Sequence, residues 1–158
     1  MSPEIVAFLA AVDELYAEVR QVVQGLDPAA LRFKPGEGFN SISAIVAHVA
    51  GSQRWWIGEI LGGRNMHRDR EAEFRADDLP AEALLDGLDK TMALTREVLA
   101  SVTSEMLDET RNYKGQQVTV RYILARVLGH VALHVGHIQI TRQLWDMQQG
   151  DAHRASSA

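Results

Sequence analysis

Three histidines stand close together in the stretch His130-Val131-Ala132-Leu133-His134-Val135-Gly136-His137. At about 100° per residue on a helix, His130, His134 and His137 fall within roughly 60° of one another and share a face with Ile123, Val127 and Thr141. That face is expected to be buried, since Ile123, Val127 and His130 follow the i, i+4, i+7 track of core-facing positions. Three imidazoles then point inward. A buried imidazole loses its hydration and needs a partner, and neutral imidazole is the commonest metal ligand near neutral pH. His130 and His134, at i and i+4, have the spacing by which helical histidine pairs hold one ion. The alternative is a set of core histidines, each bonded to a backbone carbonyl or a hydroxyl. His48 lies on the apolar side of an earlier segment, between Ile45 and Val49, and is the candidate third ligand. Which two of the clustered three would join it the spacing leaves open.

The elements that must position these residues read as four long helices with one long connection. The first opens with Ser2 as N-cap and Pro3 at the first helical position, and carries apolar residues from Ile5 to Val23 at steps of three and four until Gly25. Phe33 to Gly38 is a breaker-rich loop. A second helix starts at Asn40 or Ser41 and runs to Gly62-Gly63, with Ile45, His48, Ser52, Trp55 and Glu59 as its inward track. Gly62 to Leu79 is polar and is expected to be a surface connection across the bundle, with His67 facing solvent. A third helix starts at Asp78 and Pro80 and ends near Met106. Asn112-Tyr113-Lys114-Gly115 is a turn signal, with a short extended piece at Gln116 to Val118. Thr119 caps the histidine helix, which runs to Gly150. The pattern predicts an all-α four-helix bundle over residues 1–150, with a long connection between helices 2 and 3 and a disordered tail over 151–158.

The chain has 158 residues, enough for one domain with a substantial core, a formal net charge of -5 and no cysteine. Disulfides, thiolate metal sites and a cysteine nucleophile are excluded, and a cytoplasmic location fits. With only the short Arg64 to Arg75 region rich in cations, nucleic acid is not an expected partner. Met1-Ser2-Pro3-Glu4 shows no positive region followed by an apolar run, so no signal peptide is expected. The apolar runs are interrupted by His48, Arg126 and the clustered histidines, so no membrane span is expected.

Taken together, His48 in "HVAGSQRWW" and the H-x-x-x-H-x-G-H run of His130, His134, Gly136 and His137 resemble the DinB-like superfamily. These are metal-binding four-helix bundles that include bacillithiol S-transferases and mycothiol-dependent maleylpyruvate isomerase. The run from His137 to Arg142 is similar to the mycothiol-linked branch, with Arg142 and Asp146 in matching places. The resemblance covers roughly residues 3 to 149. It implies that His48, His130 and His134 are the metal ligands and that His137 lies beside the site. In three respects the chain departs from the pattern: His130 stands where the isomerase has a glutamate, the isomerase's fused partner domain is not part of this sequence, and Gln143 replaces the acidic residue that usually follows the matching arginine.

Three neutral imidazoles on a divalent cation leave a position for water or a substrate atom, the layout of a catalytic site. Without a protein anion among the ligands the cation keeps its full charge, which favours a thiolate. The resemblance therefore implies a metal-dependent S-transferase using a low-molecular-weight thiol; a water activated at the same cation would give a hydrolase. Zinc suits the ligands first, with nickel or iron as alternatives. His137 and Glu59 are the candidate catalytic residues, and Trp55 and Arg142, with His137 and Glu59, the candidate pocket wall. A bundle that binds metal or a small ligand without turnover is the second reading, and a structural bundle the third. The expected partners are a small-molecule substrate and a second copy in a homodimer.

Overall fold

The computed structural model describes residues 1–156. Helix α1 spans Pro3–Val23, with the Ser2 hydroxyl accepting from Ile5 N–H and Ile5, Phe8, Leu9, Val12, Tyr16, Val19 and Val23 buried. It stops where Gly25 takes a positive φ of 76°, a conformation that costs glycine little. A short α2, Pro28–Arg32, follows under an Asp27 cap. Helix α3 spans Ile42–Arg54, capped by Ser41, and continues as a π-helical turn over Trp55–Leu61. Helix α4, Arg70–Phe74, sits in the connection, and α5 spans Ala81–Leu99. A 3-10 turn at Glu105–Asp108 leads to an antiparallel hairpin, β1 Thr110–Tyr113 and β2 Gln116–Thr119. Helix α6, Val120–Ser156, is the last of the described elements.

Helices α1, α3, α5 and α6 form the bundle: α1 packs on α5 and α6, and α3 packs on the same two. One buried cluster runs through all four. In α6 the buried stripe is Ile123, Val127, Val131, Val135 and Ile138, and each such side chain contributes about 1.5–3 kcal/mol when fully buried. That stripe fixes the rotation of α6 about its axis, and with it the direction in which His130 and His134 face.

Several local expectations change. The π-helical turn, in which more residues fill each turn than in an α-helix, shifts the inward track of the second helix by one position. Trp56 and Ile57 are buried, whereas Trp55 and Glu59 are only partly so. Gly62 closes this turn against backbone: a β-carbon there would lie 2.9 Å from the Gly58 carbonyl oxygen and 3.2 Å from that of Ile57. Gly62→Ala is therefore expected to destabilise the fold by about 1–3 kcal/mol, read as a lower midpoint in thermal unfolding.

Helix α5 ends at Leu99, seven residues before Met106. The run Ser101-Val102-Thr103-Ser104 is β-branched or competes for backbone hydrogen bonds, which disfavours helix. Asp78 does not cap α5; Pro80 holds the N-cap position and Asp78 lies near Arg32 instead. The extended piece at Gln116 has a partner strand, Thr110–Tyr113, joined through Lys114 and Gly115. Both turn residues have positive φ, 51° and 85°, as the tight two-residue hairpin turn requires.

Past Gly150, α6 continues to Ser156. A single helical glycine costs only about 1 kcal/mol, and no proline follows to stop the helix. Residues 157–158 of the expected tail lie outside the described residues. By length and composition alone, Val120–Ala152 is also long and apolar enough to cross a membrane, contrary to the expectation drawn from its interrupting polar residues. One side of that helix carries the core stripe against α1 and α3.

Candidate metal centre

Helix α3 buries His48 between the apolar positions Ile45 and Val49, and α6 presents His130 and His134 from successive turns. The packing of α3 on α6 brings the three together across 82 residues of sequence. His48 Nε2 faces His130 Nε2 at 3.2 Å. One ring nitrogen from each of the three residues lies within 4.8 Å of the others. A tetrahedral site with zinc–nitrogen bonds of about 2.0–2.1 Å places its ligand nitrogens roughly 3.3 Å apart. The three rings suit a first-row divalent ion in donor type; the His48–His130 pair already has this spacing, and His134 lies close enough to join them.

The protonation states agree. Burial, then the neighbouring His134 and His48, push the His130 imidazole down to about 3. Burial, then His48 and His137, push His134 down to about 4. Both rings are neutral at pH 7. In the metal-free protein the unfolded chain takes up protons at these residues near the ordinary value of about 6.5, while the folded chain stays neutral to much lower pH. The folded state thus binds fewer protons, and stability is lost as pH falls from about 6.5. The melting temperature of metal-free protein should drop across pH 7 to 4, and the drop should be smaller in a His130→Ala, His134→Ala variant.

The connection after α3 completes the surroundings of His48. Glu73 of α4 accepts from His48 Nδ1 at 2.8 Å, and Arg68 grips the same carboxylate with Nε and an Nη at 2.7 and 2.8 Å. The side chains of His48, Arg68 and Glu73 are 7, 15 and 10% exposed. Burial raises the Glu73 carboxyl, but the bonds and charges of Arg68 and His48 outweigh it and hold the group below its ordinary value. The Phe74 ring stacks on His48 with centroids 4.4 Å apart. The sequence places all three of these residues in a surface connection. Their polarity carries no periodic signal, and only the fold makes the segment an inner wall. Ser43 and Ser41 pin it to α3 through the Ala76 carbonyl and Asp77.

The histidines open into a cavity of about 480 Å³ with Phe39, Ile45, Phe74, Ile140 and Leu144 as its apolar wall and Arg70 as its cation. No carboxylate lines it among the described residues. His137 also lines the cavity, but as an exposed residue whose Nδ1 is 3.3 Å from His134 Nδ1. The other candidates lie elsewhere. Trp55 is turned away by the π-helical turn and packs against Trp56, Tyr113 and the Arg68 guanidinium. Glu59 accepts from Met66 N–H at 3.1 Å and anchors the start of the connection. Arg142 is occupied on the outer surface by Asp146, at 2.9 Å.

Compared with known sequences, residues 7–147 match a family described as mycothiol-S-transferase. No curated protein matches the chain. Among solved structures, YfiT from Bacillus subtilis, described as "a probable metal-dependent hydrolase with an unusual four-helix bundle topology", superposes with a TM-score of 0.72 at 17% identity, covering 90% of this chain and 89% of that one. A DinB-like protein from Bacillus cereus gives 0.71 at 14% identity, covering 86% and 89%. The mycothiol-dependent maleylpyruvate isomerase gives 0.61 at 15%, covering 83% of this chain and 59% of that one. The fold these chains share is the DinB-like four-helix bundle.

Proposed function

From the premise that this chain belongs to the mycothiol-S-transferase family, we propose that it is a metal-dependent enzyme joining a low-molecular-weight thiol to an electrophilic small molecule. The observation that carries this reading is the convergence of three imidazole nitrogens on one cavity that no carboxylate lines among the described residues. When bound there, a divalent ion, zinc before nickel or iron, supplies Lewis acidity that lowers the pKa of a thiol or a water.

His48, His130 and His134 would hold the ion, and being neutral they leave its charge uncompensated. With the ion bound, that charge would favour an anionic sulfur. The thiol loses its proton to solvent, sulfur forms a bond to an acceptor carbon, and the leaving group departs with its electron pair. Arg70 adds positive charge at the cavity wall, and Phe39, Ile140 and Leu144 offer an apolar surface to the acceptor. Hydrolysis at the same site would be helped by a separate general base, and of the cavity residues outside the three only His137 has that capacity. Thiol transfer needs no base once the sulfur is ionised. A chain without cysteine also fits the reducing cytoplasm, where small thiols stay reduced.

The test is metal analysis of purified protein, followed by incubation with mycothiol and other small thiols plus a chlorinated aromatic acceptor. Conjugate formed with one thiol and abolished by a chelator supports the reading. Bound metal with no conjugate from any thiol would leave a binding module or, if esters or amides are cleaved, a hydrolase.

A further inference from the structure

The side of His48 away from the cavity is built as carefully as the side toward it. Its Nδ1 meets Glu73 Oε2 at 2.8 Å, and both Glu73 oxygens are held by the Arg68 fork. A carboxylate gripped in that way only accepts, so the His48 proton sits on Nδ1 and Nε2 carries its lone pair toward the other two histidines. Arg68 is backed in turn by the Trp55 ring, 5.6 Å from its guanidinium carbon. A third observation concerns Gly51, one turn beyond His48 on α3. A β-carbon at this position would come within 2.6 Å of Glu73 Cδ. The glycine leaves open the space in which the carboxylate lies.

We propose that Glu73, held by Arg68 and admitted by Gly51, is a positioning residue that fixes the tautomer and ring orientation of His48 for metal binding. The inference rests on the reading of His48 as a ligand. Carboxylates behind metal-binding histidines orient the ring and raise its basicity, and their loss typically weakens metal binding about 10–100-fold. In this chain the device reaches from a different element: α4 lies outside the four bundle helices yet determines which nitrogen of an α3 residue is available. The Trp55 side chain, at the far end of the same line of contacts, acts through Arg68 and not on the cavity.

Two readouts test this. Nitrogen–proton correlation spectra of the imidazoles in metal-free protein report the tautomer directly, and zinc affinity is measured by competition with a chromophoric chelator. Wild type is expected to show His48 protonated at Nδ1. Glu73→Ala should release it to the Nε2-protonated or mixed form, with zinc binding about 10–100-fold weaker. Glu73→Gln, which can still accept through its amide oxygen, should keep the Nδ1 tautomer and rescue most of the affinity. Gly51→Ala, which displaces the carboxylate without removing any polar group, should resemble Glu73→Ala; it also serves if Glu73→Ala does not fold. An unchanged tautomer and zinc affinity within twofold of wild type in both alanine variants would overturn the proposal. Wild-type protein that binds no zinc would instead overturn the ligand assignment on which it rests.

Discussion

His130→Ala is expected to purify without stoichiometric metal and to form thiol conjugate at a rate near background. Four-ligand zinc sites bind with about 10–16 kcal/mol, so one ligand is worth on the order of 3 kcal/mol, and its loss weakens binding on the order of a hundredfold. The fold itself should tolerate the change. His130 is half-buried and is held neutral against its ordinary tendency to protonate, so the variant loses little packing. His137→Ala is the informative partner, because His137 touches His134 from the exposed side and lies outside the trio of converging nitrogens. It should retain the metal. Elemental analysis and the conjugation rate of the two variants, run together, check the assignment. A His130→Ala protein that still carries one ion per chain would refute it.

Gln53→Ala should cost about 3–5 kcal/mol of folding stability while leaving the histidines in place. Gln53 is 1% exposed, and its amide joins three helices. The Tyr16 hydroxyl of α1 donates to Gln53 Oε1 at 2.9 Å, and Gln53 Nε2 donates to Thr95 Oγ1 of α5 at 3.0 Å. Burial raises the Tyr16 hydroxyl far above its ordinary value, so it stays protonated and remains the donor. Truncation at residue 53 strands the Tyr16 hydroxyl in the core, at about 1–3 kcal/mol, removes the amide's bond to Thr95 and opens a cavity beside Met92. For a chain of this size each kcal/mol lowers the melting temperature by roughly 2–4 °C. A drop of roughly 10 °C is therefore expected by calorimetry. Tyr16→Phe, which leaves only the amide oxygen short of a donor, should cost less. A Gln53→Ala midpoint within a degree or two of wild type would show that the network contributes no net stability.

The bundle and the three converging histidines were legible because both depend on periodicity. Ile5 to Val23, Ile123 to Ile138, and the four-residue step from His130 to His134 each encode a helix face in the spacing itself. His137 shows the limit of that reasoning: it shares the angular sector of the other two, yet it is exposed, although Ile138 and Thr141 beyond it are buried. Trp55 and Glu59 were misplaced because an α-helical repeat was carried through a segment that winds as a π-helix, and nothing in Trp-Trp-Ile-Gly-Glu announces that change. Glu73 and Arg68 could not be found from the sequence. Short polar segments read as solvated, whereas these two side chains are mostly covered where Ser41, Ser43 and Glu59 tie the connection down near His48. The Thr110–Tyr113 strand was missed for a related reason: its alternation spans only four residues, too few to outweigh the surrounding turn residues.

The π-helical winding at Trp55–Leu61 has an implication for how this molecule tolerates length changes. A wide turn of this kind behaves as an expansion joint in the rod. Excising one residue there would let the segment rewind as ordinary helix, the tighter turn needing fewer residues for nearly the same rotation, so the upstream rod with residue 48 and the chain beyond the joint both keep their directions. The disturbance would be spent on the Glu59 anchor to Met66 and on the seat of Trp56. Single-residue indels should thus be far less damaging to the imidazole cluster at this joint than anywhere between Ser41 and Ser52.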